Sequence, residues 1–198
     1  MPVRDPKLFI HAALLIILMA VLAWAHGAVN PWLRYDRAAV LGGQVWRLWT
    51  CHLAHLNGWH YLLNTSGLVL MLFIFRDLLD RVRLWLWFTL CGLGVGLAFV
   101  FIDTGLDWYV GLSGLLQSLL VMCLLLGWRG HPLLHSLVLM AVIGRLFWEH
   151  SPGYDTGYLE PWIHAPVYVN AHLYGAIMGA ALAAGMLFWQ LIKRPAWQ

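Results

Sequence analysis

Apolar runs long enough to cross a bilayer recur six times along these 198 residues, and no other feature restricts the fold as strongly. A hydrocarbon core about 30 Å thick takes roughly 20 helical residues to cross. Because that core holds no water, every backbone N–H and C=O must be satisfied inside the segment, which makes each run a helix. The runs are Leu8 to His26, Trp59 to Leu79, Leu84 to Ile102, Val110 to Trp128, Pro132 to Trp148 and Val167 to Ile192. Arg4 and Lys7 ahead of the first run imitate a secretory signal, but the run is too long and Ala25-His26-Gly27 is a poor cleavage site, so it reads as a true span. With no internal repeat or low-complexity tract, residues 1–198 read as a single domain: an all-α membrane protein with a six-helix bundle.

The rest of the composition agrees. Charged residues make up 11% of the chain, against about 25% in a soluble domain. Tryptophan and tyrosine gather near the ends of the runs, at Trp24, Trp32, Trp59, Trp108, Tyr109, Trp128, Trp148, Trp162 and Trp189, as rings that settle at membrane interfaces do. The formal net charge of +3 is spread over several loops and forms no basic patch, which excludes nucleic acid as a partner. Cys51, Cys91 and Cys123 show no CxxC spacing and read as packing residues. No cofactor is expected.

Orientation follows from lysine and arginine, which are enriched in cytoplasmic loops. With the amino terminus inside, the cytoplasmic segments hold Arg4, Lys7, Arg76, Arg81, Arg83, Arg129, Lys193 and Arg194, and the outer ones hold only Arg34, Arg37 and Arg47. Both termini are therefore expected in the cytoplasm. The longest loop, Gly27 to Gly58, is rich in Trp32, Leu33, Trp46, Leu48, Trp49 and Leu53 and is expected to form short interfacial helices.

Polar side chains inside a span are costly and face the bundle interior or a water-filled cavity. Here they gather at one depth. His60 and Asn64 open the second span, Ser113 and Gln117 the fourth, and His172 the sixth, and all three spans run from outside to inside in this topology. Ser113 lies sixteen positions before the cytoplasmic Arg129, or about 24 Å at 1.5 Å per residue, which submerges it a few ångströms below the outer surface. A serine hydroxyl needs a base to become a nucleophile, and neutral imidazole is the commonest one. Gly175 and Gly179 would let the sixth helix approach the fourth closely and bring His172 to Ser113. The Ser113 amide at a helix amino terminus, His60 and Asn64 would supply donors for an oxyanion. No acid is expected at this depth, so the pattern suggests a Ser-His dyad.

Blander readings exist for each residue. Gly-x-Ser-Gly is a common helix-packing string, and His60 with Asn64 would serve equally as a helix-linking pair. His52 with His55, or His131 with His135, has ligand-like spacing, but the two pairs lie at opposite ends of the bundle, so no metal is expected and loop-stapling hydrogen bonds are the better reading. Arg145 and Glu149, four apart, read as an ion pair at the outer end of the fifth helix. Gly92, Gly94 and Gly96 read as a close-packing face of the third. A small-solute transporter would show midplane charges or paired broken helices, and neither is present.

Trp46-Arg47, His55, His60-Tyr-Leu-Leu-Asn64, Gly111-Leu-Ser113-Gly114 and Ala171-His172 with Gly175 and Gly179 resemble, in this order, the signatures of rhomboid intramembrane serine proteases. The resemblance implies Ser113 as nucleophile, His172 as base, and an oxyanion hole of His60, Asn64 and the Ser113 amide. Within the family the sequence is most similar to the rhombosortases, through Arg34-Tyr35-Asp36-Arg37, His52-Leu-Ala-His55-Leu-Asn57, Asp107-Trp108-Tyr109-Val110, Trp148-Glu149 and Ala171-His172-Leu173-Tyr174-Gly175-Ala176. That likeness implies cleavage of exported proteins near a carboxy-terminal Gly-Gly, hydrophobic-helix and basic tail. It also implies a bacterial inner membrane location, lipid and membrane-anchored proteins as partners, and a site facing the periplasmic side. The chain departs from the family at Gln117, where rhomboids usually have an aromatic residue and rhombosortases often a histidine; this is the position expected to help place the base. The alternative is a catalytically idle relative that binds transmembrane helices.

Overall fold

The computed structural model describes residues 7–79 and 83–193; Arg4, Arg81 and Arg194, which enter the orientation argument, lie outside them. In chain order the elements are α1 (Lys7–Trp24), α2 (His26–Leu33), β1 (Tyr35–Asp36), α3 (Arg37–Leu41), α4 (Arg47–Thr50), α5 (Gly58–Ile74), α6 (Arg76–Leu79), α7 (Leu84–Phe101), β2 (Trp108–Tyr109), α8 (Ser113–Gly127), α9 (Pro132–Glu149), α10 (Glu160–Ile163) and α11 (Val169–Ile192). Among the described residues, four helices are long and apolar enough to cross a membrane: α1, α7, α9 and α11. The chain is an integral membrane protein. Helices α5 and α8 are apolar but shorter. The fourth run, expected to begin at Val110, starts as helix only at Ser113, because β2 and an extended loop occupy the residues before it.

Helix α7 lies at the centre, burying Trp87, Phe88, Cys91, Val95 and Phe99. The outward faces of the other helices carry Ile10, Leu14, Ile17 and Val21 on α1, Phe73 and Ile74 on α5, and Ile177 and Phe188 on α11, as a lipid-facing surface requires. Glycine decides how close the inner helices come. A Cβ on Gly96 would lie 2.9 Å from Leu48 Cα, which lets α4 rest on α7. On the far side of the core, a Cβ on Gly175 would lie 2.7 Å from the Gly114 carbonyl carbon, and one on Gly179 would lie 2.9 Å from the Ser118 carbonyl carbon. The backbones of α8 and α11 are thus in direct contact along the glycine face expected to join them.

The long first loop forms α2, α3 and α4 and is stapled throughout. Arg47, 4% exposed, donates to Gln44 Oε1, Arg34 O and Pro31 O. Arg37 donates to the carbonyls of Phe99 and Val100 in the last turn of α7, where a cation also complements the helix dipole. β1 pairs antiparallel with β2, Tyr35 opposite Tyr109, a strand pair that the all-helical reading lacked. Through it the first loop braces the segment that leads into Ser113. The three cysteines are free and buried, as packing residues.

Candidate active site

The serine's position is set by the turn before it. Gly111 has φ +135°, and a Cβ there would lie 2.9 Å from His60 Cε1; glycine alone takes this conformation without strain. Its N–H donates to Cys51 O at 3.0 Å, and its carbonyl accepts from the Tyr109 phenol at 2.9 Å. Burial raises the Tyr109 phenol above its ordinary range, and its hydroxyl also interacts with the Ser113 side chain. His52, fully buried, spans from the Gly111 carbonyl (3.3 Å) to the Gly92 carbonyl of α7 (3.1 Å). A neutral imidazole has one N–H to give. Burial holds His52 down at about 4, so in the neutral ring only one of these two contacts carries a proton. His52 staples its loop as expected, whereas His135, whose Nδ1 meets Leu124 O at 2.9 Å, links α9 to α8.

Ser113, His172, His60 and Asn64, on α8, α11 and α5, all line one cavity of about 440 Å³. Its walls are completed by the segment before the serine, including Asp107 and Trp108, and by the loop around Tyr158 and Val167. His60 Nδ1 accepts the Leu56 N–H at 3.3 Å, so its proton sits on Nε2, the atom that faces Gly111. Asn64 is 4% exposed and its amide nitrogen has no hydrogen-bond partner. An unpaired buried donor costs about 1–3 kcal/mol, a cost that is recovered only when an acceptor enters. Two donors therefore stand ready beside Ser113, whose own N–H heads α8.

His172 sits in the first turn of α11, and a polar network fixes that turn. Asp103, just after α7, accepts from the Tyr168 hydroxyl, from Asn170 Nδ2 at 2.7 Å and from the Tyr174 hydroxyl at 3.2 Å. Asn170 Oδ1 in turn meets His150 Nε2 at 3.1 Å. An acid here also complements the amino-terminal end of the helix dipole.

One expectation is overturned. An acid does reach His172: its Nδ1 lies 3.0 Å from Glu149 Oε2, while Glu149 Oε1 accepts Arg145 Nε at 2.8 Å. The Arg145–Glu149 pair is present as expected, but it uses only one carboxylate oxygen. The reason is helical phase. The buried residues of α9 are His135, Val142 and Glu149, a stripe repeating every seven positions, so Glu149 faces inward at the top of the seam that Val142 forms with Ala176 below His172. Gln117 is half-buried and does not line the cavity; the side chain bonded to His172 is Glu149. Sequence reasoning also missed Asp103 and Asn170, which lie at the ends of spans where polar residues are unremarkable. In the sequence Glu149 stood out as the partner of Arg145 and within Trp148-Glu149 of the family likeness, but neither signal pointed to His172.

No curated protein matches the chain. A family model for the rhomboid domain matches residues 42–189, from the first loop to the last turns of α11. That match covers most of the chain and includes every residue lining the cavity; the chain belongs to the rhomboid family.

Proposed function

We propose that the protein is a rhombosortase-like intramembrane serine endopeptidase, in which α5 and α8 complete a six-span bundle with both termini cytoplasmic and the cavity opening toward the outer side. Rhomboid proteins are in general intramembrane serine proteases, and their substrates are membrane-anchored. The observation that carries the reading is the meeting of Ser113, His172, His60 and Asn64 from three helices in a single cavity, with the buried Asn64 amide nitrogen left without a partner.

In this reading the scissile carbonyl lies over Ser113, and Oγ attacks as its proton passes to Nε2 of His172, the nitrogen left free by the Glu149 bond. The negative charge that develops on the carbonyl oxygen is met by His60 Nε2–H, Asn64 Nδ2–H and the Ser113 N–H, donors already in place before the reaction. Collapse of the tetrahedral intermediate transfers the His172 proton to the leaving amine. Water then attacks the acyl-Ser113 ester with His172 again as base, which frees the new carboxylate. The short α8 supports this assignment. Its fifteen residues span about 22 Å, so a serine at its first position is submerged yet reachable by water from the cavity above.

The test is a reporter ending in Gly-Gly, an apolar helix and a basic cluster, expressed with the protein in a bacterial inner membrane. The reporter should be cut and released on the outer side, and a serine-reactive phosphonate should label Ser113. Ser113→Ala and His172→Ala should each abolish both, and the double variant should be little worse, because the two act as one unit. Labelling that persists in Ser113→Ala would assign the nucleophile elsewhere, and release on the cytoplasmic side would reverse the topology.

A further inference from the structure

We infer that Glu149 is the positioning residue for His172, so that the base is held by a carboxylate from the neighbouring helix in a Ser-His-Glu arrangement with Arg145 behind it; this rests on the protease reading above. Glu149 is among the few buried charged side chains, with 1% of its side chain exposed, and it lies between the Arg145 guanidinium and the His172 ring. A carboxylate so isolated costs several kcal/mol to bury unless both oxygens are bonded. Here both are, one to each partner.

The chemistry follows from donor counting. An ionised carboxylate can only accept, so the 3.0 Å bond requires the proton of neutral His172 to be on Nδ1. The lone pair is then on Nε2, the tautomer that a general base needs. When Nε2 takes up the serine proton, the imidazolium that forms stands against an anion already in place. Arg145, more than half exposed, binds the other oxygen and leaves Oε2 directed at α11. The apolar seam beneath, with Val121 and Leu124 of α8, Val142 of α9 and Ala176 of α11, sets the depth at which Glu149 and His172 meet.

Glu149→Gln separates this role from a purely structural one. Arg145 can bond only the amide oxygen, which turns the amide NH₂ toward Nδ1 and drives the His172 proton to Nε2. Nitrogen spectra of protein with labelled histidine should therefore show the His172 proton on Nδ1 in the wild type and on Nε2 in Glu149→Gln. Phosphonate labelling of Ser113 should fall about 10²–10⁴-fold, the range spanned by general-base catalysis and by loss of the acid that orients the base, with the melting temperature little changed. Arg145→Met, which leaves Oε1 of the buried carboxylate without its partner but keeps Oε2 on His172, should lower the melting temperature more than Glu149→Gln does and slow labelling less.

The inference alone is refuted if the wild type labels and Glu149→Gln labels equally fast. It is equally refuted if Arg145→Met and Glu149→Gln lose rate and melting temperature in parallel, as for a structural ion pair. Should Glu149→Gln fail to fold, the wild-type spectrum decides: a proton on Nε2 overturns the proposal. A folded wild type in which Ser113 never labels overturns the protease reading, and this one with it.

Discussion

Replacing Gly175 with alanine tests whether the contact between α8 and α11 sets the catalytic geometry. The new Cβ would lie 2.7 Å from the Gly114 carbonyl carbon and 3.2 Å from Gly114 Cα, whereas carbon atoms rest about 3.5–4.0 Å apart. Both obstacles are backbone in the first turn of α8, directly after Ser113, so neither can rotate away. Relief requires α11 to retreat by about 1 Å, and His172 lies less than one turn before the point of contact. Overpacking of this kind costs about 1–3 kcal/mol in stability, and a displacement of about 1 Å at a reacting centre can cost about 10²-fold in rate. Phosphonate labelling of Ser113 should therefore slow by about two orders of magnitude, with a lower melting temperature in detergent. Gly185, farther down the same helix, has nothing within 4 Å of its added Cβ, so Gly185→Ala should leave both measurements at or above wild type. If Gly175→Ala matches Gly185→Ala in both, the glycine contact does not hold the serine and the histidine together.

Two further outcomes are expected. Asn64→Ala and His60→Ala should each lower turnover about 10²–10³-fold with little change in substrate binding, since in the proposed mechanism their donors bond mainly to the developing oxyanion; an unchanged turnover with a lowered melting temperature would make them structural links only. Burial holds His52 and His55 at about 4 and about 3 in the folded protein, below the ordinary histidine value of 6.5, so the unfolded chain binds more protons than the folded one between these limits. Stability should be full above pH 6.5 and fall as pH drops toward 4, read as melting temperature against pH; His52→Asn should flatten part of that slope, and an unaltered slope would place the proton uptake elsewhere.

Much of this protein is legible in one dimension because a bilayer makes local sequence decisive. Each run of apolar residues has to satisfy its own backbone, so the helices at Lys7–Trp24, Leu84–Phe101, Pro132–Glu149 and Val169–Ile192 follow from hydropathy with little reference to the rest of the chain. Polar residues within such runs stand out for the same reason, and His60, Asn64, Ser113 and His172 were visible as a set at one depth. The Gly175 and Gly179 face could also be matched to a partner, because small residues four apart allow close approach of helices and little else.

What the one-dimensional pattern left open was decided where separate elements meet. Glu149 has a local partner in Arg145, four residues away, and a second in His172, twenty-three residues on. Hydropathy says nothing about the second, since a carboxylate at a helix end looks solvated until the phase of α9 turns it inward. Asp103 gathers Tyr168, Asn170 and Tyr174 across a still longer separation, and the pairing of Tyr35 with Tyr109 joins two loops that share no sequence signal. A span can be recognised from the solvent it must match, which is a property of each residue. The orientation of an imidazole depends on which hydrogen-bond partner a neighbouring helix presents at about 3 Å, and only the packed bundle determines that.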